Sequence, residues 1–149
     1  MKISEICTHD VIVAQRQSTI LELAQLMRKH HVGNIIIVDQ VGLRRKPVGI
    51  VTDRDIIMEL VAKEESLNSV NANDIMSADL VTVGEYVATW DAMDIMREHG
   101  IRRLPVVDGV GLLTGIVSTD DILEALAEQI LDLVMLFGRE KRLEKKSRP

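Results

Sequence analysis

Aromatic side chains are nearly missing: Tyr86, Trp90 and Phe137 are the whole set in 149 residues. Single-stranded nucleic acid is held by stacking on such rings, so their scarcity argues against that partner. A net charge of −5 argues against general nucleic-acid binding as well. Cys7 is the only cysteine, which excludes an internal disulfide and any multi-cysteine metal centre. Lying between Ile6 and Thr8, it reads as a small apolar filler. No run of about 18 apolar residues offers a membrane span. Met1-Lys2-Ile3-Ser4-Glu5 carries no signal-type apolar stretch, so the expected compartment is the cytoplasm, without a membrane partner. With so few aromatics, the core must be built from Val, Ile, Leu, Met and Ala. A hydrophobic content of 46% is enough for a globular chain.

What the chain does have is a repeat. Ile6/Ile75, Asp10/Asp79, Met27/Met96, Arg28/Arg97, His30/His99, Val38/Val107, Asp39/Asp108, Val41/Val110, Gly42/Gly111 and Leu43/Leu112 are identical at an offset of 69. Beyond Leu43 the offset falls to 66, where Gly49-Ile50-Val51 matches Gly115-Ile116-Val117 and Asp55-Ile56 matches Asp121-Ile122. Three residues, assigned to Arg44-Arg45-Lys46, are therefore extra in one turn of the first copy. A repeat fixes architecture before any local reading does. Two units of about 60 residues are marginal alone and make an ordinary domain together.

Each copy reads β-α-β-β-α. A short extended piece comes first, Val11-Ile12-Val13 or Leu80-Val81-Thr82-Val83. A helix follows, opened in the first copy by the Thr19/Glu22 capping spacing and stopped in the second at Gly100. Two β-branched runs flank a Gly turn: Ile35–Asp39 with Val48–Val51, and Leu104–Asp108 with Thr114–Val117. Thr52 and Ser118 then stand as helix N-caps. The fold class is α/β (α+β), with two pseudo-symmetric units packed as one module. Repeat 1 spans 1–67, repeat 2 spans 68–127, and an extended helix with a basic tail spans 128–149. Asn68–Asn73 reads as the linker. In the last helix Glu124, Glu128 and Asp132 form one polar stripe. Leu123, Leu126, Ile130, Val134 and Phe137, with Leu131, Leu133, Met135 and Leu136, leave the rest apolar. That is wider than one intramolecular face and implies burial against another surface. Gly138 is expected to end the helix, and the tail from Arg139 to Pro149 is basic.

Two places in each copy carry candidate chemistry. Thr52-Asp53-Arg54-Asp55 and Ser118-Thr119-Asp120-Asp121 put a hydroxyl at a helix start and a carboxylate three residues on. Free N–H groups there suit an anion, and the carboxylate suits vicinal hydroxyls. The same spacing is equally an ordinary cap with no ligand. The second place is His31-Val32-Gly33-Asn34 with its twin Gly100-Ile101-Arg102-Arg103, where one arginine can reach a phosphate. No Ser/His/Asp or Cys/His set and no phosphate-binding Gly-rich loop is present, so no enzyme is expected. His9, His30, His31 and His99 do not make a metal site: His30 and His99 are equivalent helix-end residues, favoured there as cations.

At Leu-Pro-Val-Val-Asp, a Gly turn, and then Gly-Ile-Val-(Thr/Ser)-x-x-Asp-Ile, doubled, the chain resembles a tandem pair of CBS domains, the Bateman module. The resemblance covers Ile6 to about Ala127. It implies two clefts for adenosine-type ligands (AMP, ADP, ATP or S-adenosylmethionine), a sensing role toward an unidentified regulated protein, and pairing of modules into a homodimer. It assigns ribose contacts to Thr52 and Asp55 in one site, and to Ser118 and Asp121 in the other. The base would lie against Ile12, Val81, Val32-Gly33-Asn34 and Ile101-Arg102-Arg103, and phosphates would meet Arg54 and Arg103. Three departures stand out: Ile36 for the proline at Pro105, Asn34 for the basic Arg103, and Asp120 where the first copy has Arg54. The last implies a weaker Ser118/Asp121 site with no local cation. The rival expectation is a ligand-free assembly module acting through its last helix.

Overall fold

The computed structural model describes residues 1–77 and 79–148. The first copy forms α1 (Ile3–Ile6), β1 (Val13–Ala14), α2 (Ile20–His30), β2 (Asn34–Val41), β3 (Arg44–Thr52) and α3 (Asp53–Ile56), which continues as a π-helical turn over Ile57–Val61. The second forms α4 (Ala72–Ile75), β4 (Val83–Gly84), α5 (Thr89–His99), β5 (Arg103–Val107), β6 (Leu113–Ser118) and α6 (Thr119–Ser147). Two three-stranded sheets result, ordered β1-β2-β3 and β4-β5-β6. In each, the helix crossover makes the first pair parallel and the hairpin makes the second antiparallel. The mixed α/β fold with two pseudo-symmetric units is thus present.

Local chemistry explains the helix limits. Glu22 N–H donates to Thr19 Oγ1 at 3.2 Å and Thr19 N–H to Glu22 Oε2 at 3.0 Å, closing a capping box. Ile20, Leu23 and Met27 then bury one face of α2. Gly100 ends α5 in the left-handed conformation at φ 64°, and His31 takes the same turn after α2 at φ 54°. A β-carbon in that region costs about 1–2 kcal/mol, so the first copy holds strain that the second avoids.

Four expectations need correction. The extended pieces begin as strands at Val13 and Val83, later than Val11 and Leu80, because ladder pairing with β2 and β5 starts there. Arg44-Arg45-Lys46 is strand, not turn: Val41 pairs with Arg44 and Asp39 with Lys46, so the extra residues lengthen the hairpin beyond Gly42. Asn71, read as linker, caps α4 by accepting from Asp74 N–H at 3.2 Å. Gly138 does not stop α6, which runs to Ser147 and makes the basic tail helical. A single interior glycine costs only about 1 kcal/mol against alanine, and the strong helix formers on both sides carry it.

The units are interlocked at their starts. Ile3 of α1 is fully buried in the core of the second unit with Leu104, Val106 and Val117. Ala72 of α4 is fully buried in the first with Leu23, Ile35 and Val51. Each exchange is fastened by a bridge onto the middle of a hairpin strand, Thr8 on Ile116 and Ser77 on Ile50. A third cluster of Val11, Ile36, Val38 and Leu113 joins the two sheets. Glycines permit the approach: a β-carbon on Gly115 would lie 2.8 Å from Cys7 Sγ, and one on Gly49 2.5 Å from Met76 Sδ. Cys7, whose thiol pKa is pushed up chiefly by burial, is in place as the packing twin of Met76. Among the described residues, no helix is long and apolar enough to cross a membrane.

Candidate ligand clefts

The hairpin start and the helix start of each copy are tied together by backbone. Asp53 N–H donates to Gly33 C=O at 3.0 Å, and Thr119 N–H to Arg102 C=O at 2.9 Å. Both candidate caps are closed boxes. Asp55 N–H donates to Thr52 Oγ1 at 3.1 Å while Asp55 Oδ2 accepts from Thr52 N–H at 2.9 Å. Asp121 Oδ2 accepts from Ser118 N–H at 2.7 Å and from the Ser118 hydroxyl at 2.8 Å. One carboxylate oxygen per cap is occupied, which leaves Oδ1 as the available acceptor.

Packing of β3 against β6 opens two clefts, and each combines the two copies. The first, about 250 Å³, is lined by Ile12, Val32, Gly33 and Asn34 of the first copy and by Ile116, Ser118 and Asp121 of the second. The second, about 560 Å³, is lined by Val81, Ile101 and Arg102 of the second copy and by Ile50, Thr52 and Arg54 of the first. Gly33, Asn34 and Arg103 line both clefts, so they form the ridge between them. The apolar walls suit a flat heterocycle, and the caps and arginines suit its polar and anionic parts.

The cleft residues are visible in the sequence, but their partnership is not. The cap of one copy faces the strands of the other, because the sheets meet about a pseudo-two-fold axis. Asp55 does not line the second cleft; Asp53 does, with its carboxylate against Gly33. A β-carbon on Gly33 would meet Asp53 Oδ2 at 3.0 Å, so glycine is what lets the two segments close. The first cleft is not without a cation, since Arg103 reaches it along with His31, opposite Asp10 and Asp121. The cations remain unequal: Arg54, Arg102 and Arg103 stand in the second against Asp53 and Asp79. Arg102 also leans on Asp120 at 3.6 Å, an exposed pair of small energetic weight. Thr8 and Asp10 line the first cleft as Ser77 and Asp79 line the second, and none was singled out from sequence. The identity of Asp10 and Asp79 across the repeat, at positions outside the apolar pattern, was the available signal.

The CBS domain model matches residues 3–62 and 72–128, and the chain belongs to this family. An uncharacterised protein of Methanopyrus kandleri is 38% identical over 124 residues, covering 83% of this chain and 62% of its own length. The chain thus spans less than two thirds of that relative. Among solved structures, a CBS domain protein of Pyrobaculum aerophilum complexed with AMP is similar at 29% identity, with a TM-score of 0.74 and coverage of 86% and 99%. A CBS domain pair in complex with 5′-methylthioadenosine and S-adenosyl-L-methionine is similar at 27% identity, with a TM-score of 0.75 and coverage of 87% and 98%.

Proposed function

We infer that this chain is a regulatory sensor, not a catalyst, that takes an adenosine-type ligand between its two copies and reports occupancy as a change in assembly. The observation that carries this reading is the pair of clefts. In each, apolar residues of one copy face a hydroxyl-capped helix start of the other, with Arg103 alongside. The AMP and S-adenosylmethionine complexes of similar modules support the ligand class. The second cleft is the better phosphate site because it holds three arginines. A readout is built in: Ser118 and Asp121 line the first cleft and also begin α6, so a ligand there bears on the base of that helix.

Assembly belongs to the same reading, with a homodimer as the simplest closed form. Titration calorimetry with AMP, ADP, ATP and S-adenosylmethionine tests the ligand. Binding of one of them, with Arg54→Ala weakening AMP by about 1.5–3 kcal/mol and adenosine far less, is the expected outcome. Silence with every compound at millimolar concentration refutes it. The exposed α6 favours a second reading, in which the module assembles without ligand, and that silence together with a stable dimer would establish it.

A further inference from the structure

α6 is a 29-residue helix, about 43 Å long, that leaves the module after its first turns. Ile122 is its one buried side chain, and Ala125 and Leu126 are half-buried. Every apolar residue from Ile130 to Phe137 is at least half exposed. The helix is also electrically divided. From Asp120 to Asp132 it carries acids and no base, whereas Arg139 to Arg148 holds six bases against Glu140 and Glu144.

One row of side chains organises these features. Asp120, Glu124, Ala127, Leu131, Val134, Gly138, Lys141 and Lys145 recur at alternating spacings of four and three, the seam of a coiled coil. The row runs about 150° around the helix from Ile122 and from Glu124 onward faces away from the module, while Asp120 at its start also touches Arg102 at 3.6 Å. Asp120 is 76% exposed, and Leu131 and Val134 are each 60% exposed. Its order is acid, acid, small, large, large, small, base, base. Reversed end to end, that order is complementary to itself.

We propose that this seam is a self-pairing surface, on which a second copy of the chain lays its own α6 antiparallel. The two-fold axis passes between residues 132 and 133. Leu131 then faces Val134 of the second copy and Ala127 faces Gly138, two small residues that let the backbones close. Glu124 meets Lys141 and Asp120 meets Lys145 at both ends. A parallel pair would instead set Asp120 and Glu124 against their own copies and Lys141 and Lys145 against theirs, four like-charge layers. The pairing also gives Gly138 a purpose in the middle of a helix. The inference rests on the dimer proposed above and specifies its geometry.

Sedimentation of the full chain at micromolar concentration, with charge-reversed variants, tests it. The wild type is expected to be a dimer that weakens in molar salt. Glu124→Lys and Lys141→Glu each act at two symmetric sites and should raise the dissociation constant about tenfold. The double variant should return it to within about threefold of wild type, because the reversed charges meet again. In a Cys7→Ser background, a Leu131→Cys chain mixed with a Val134→Cys chain should form the mixed disulfide faster than either chain alone couples to itself. A dimer indifferent to both reversals overturns the seam while leaving dimerisation intact. A monomeric wild type overturns both, as does a monomer that instead pellets with phosphatidylserine vesicles.

Discussion

Gly115→Ala isolates the interlock between the copies. The new β-carbon would lie 2.8 Å from Cys7 Sγ and 2.9 Å from the Thr8 carbonyl oxygen. The thiol can turn away, but the carbonyl cannot. It belongs to the bridge in which Thr8 N–H donates to Ile116 C=O and Ile116 N–H donates to Thr8 C=O, both at 2.9 Å. Overpacking of this kind costs about 1–3 kcal/mol, and loosening the two bridge bonds adds about 0.5–1.5 kcal/mol each. Replacing a strand glycine returns about 0.5–1 kcal/mol of backbone entropy. The net expectation is a loss of about 3 kcal/mol within a span of about 1–5 kcal/mol, a fall of about 1.5 M in urea midpoint at a slope of about 2 kcal/mol/M. Gly49→Ala is the comparison, since the three nearest atoms are Sδ, Cγ and Cβ of Met76, with no backbone atom among them. It should cost less than Gly115→Ala, about 1–2 kcal/mol, because Met76 Sδ and Cγ can be displaced by a rotamer change while only its β-carbon at 3.0 Å stays. Urea unfolding at fixed protein concentration reads both. A Gly115→Ala chain within about 0.5 kcal/mol of wild type would refute the rigid bridge.

Three further outcomes are expected. Asp121→Asn should weaken nucleotide in the first cleft by about 1.5–3 kcal/mol; Asp55→Asn should affect the second cleft less and lower stability by about 1 kcal/mol through its cap, and equal ligand losses in calorimetry would contradict this. His31→Gly removes the strained left-handed β-carbon at φ 54°, so thermal unfolding should show a gain of about 0.5–1 kcal/mol; a loss would mean that the ring contributes more than the strain costs. Asp108 is held below the usual carboxylate range first by the Leu112 N–H and then by Arg44. Its stabilisation is therefore complete above about pH 4 and is lost as pH falls through the folded value. The gap in urea midpoint between wild type and Asp108→Asn should narrow from pH 6 to pH 3, and a constant gap would refute the charge account.

Some of this protein was legible residue by residue because the causes are local. Thr19 with Glu22, Thr52 with Asp55 and Ser118 with Asp121 fix helix starts through bonds spanning three residues, and those spacings are visible in one dimension. The repeat set the β-α-β-β-α order in the same way, since duplicated apolar periods fold alike. The long self-complementary row on α6 is also written in the sequence, as a period. Gly138 does not stop that helix because a stop is decided by the propensity of the neighbours and not by one glycine. What only the tertiary structure decided is partnership across distance. Nothing local makes Ile3 bury in the second core and Ala72 in the first, or sets Ser118 opposite Ile12 and Thr52 opposite Val81. Those pairings come from two sheets meeting about a shared axis. That packing lets the motif glycines Gly49 and Gly115 admit a crossing segment, and it turns Arg103 toward both clefts at once. Apolar periods say how much surface each copy must bury, while the shape of the joined sheets says against what.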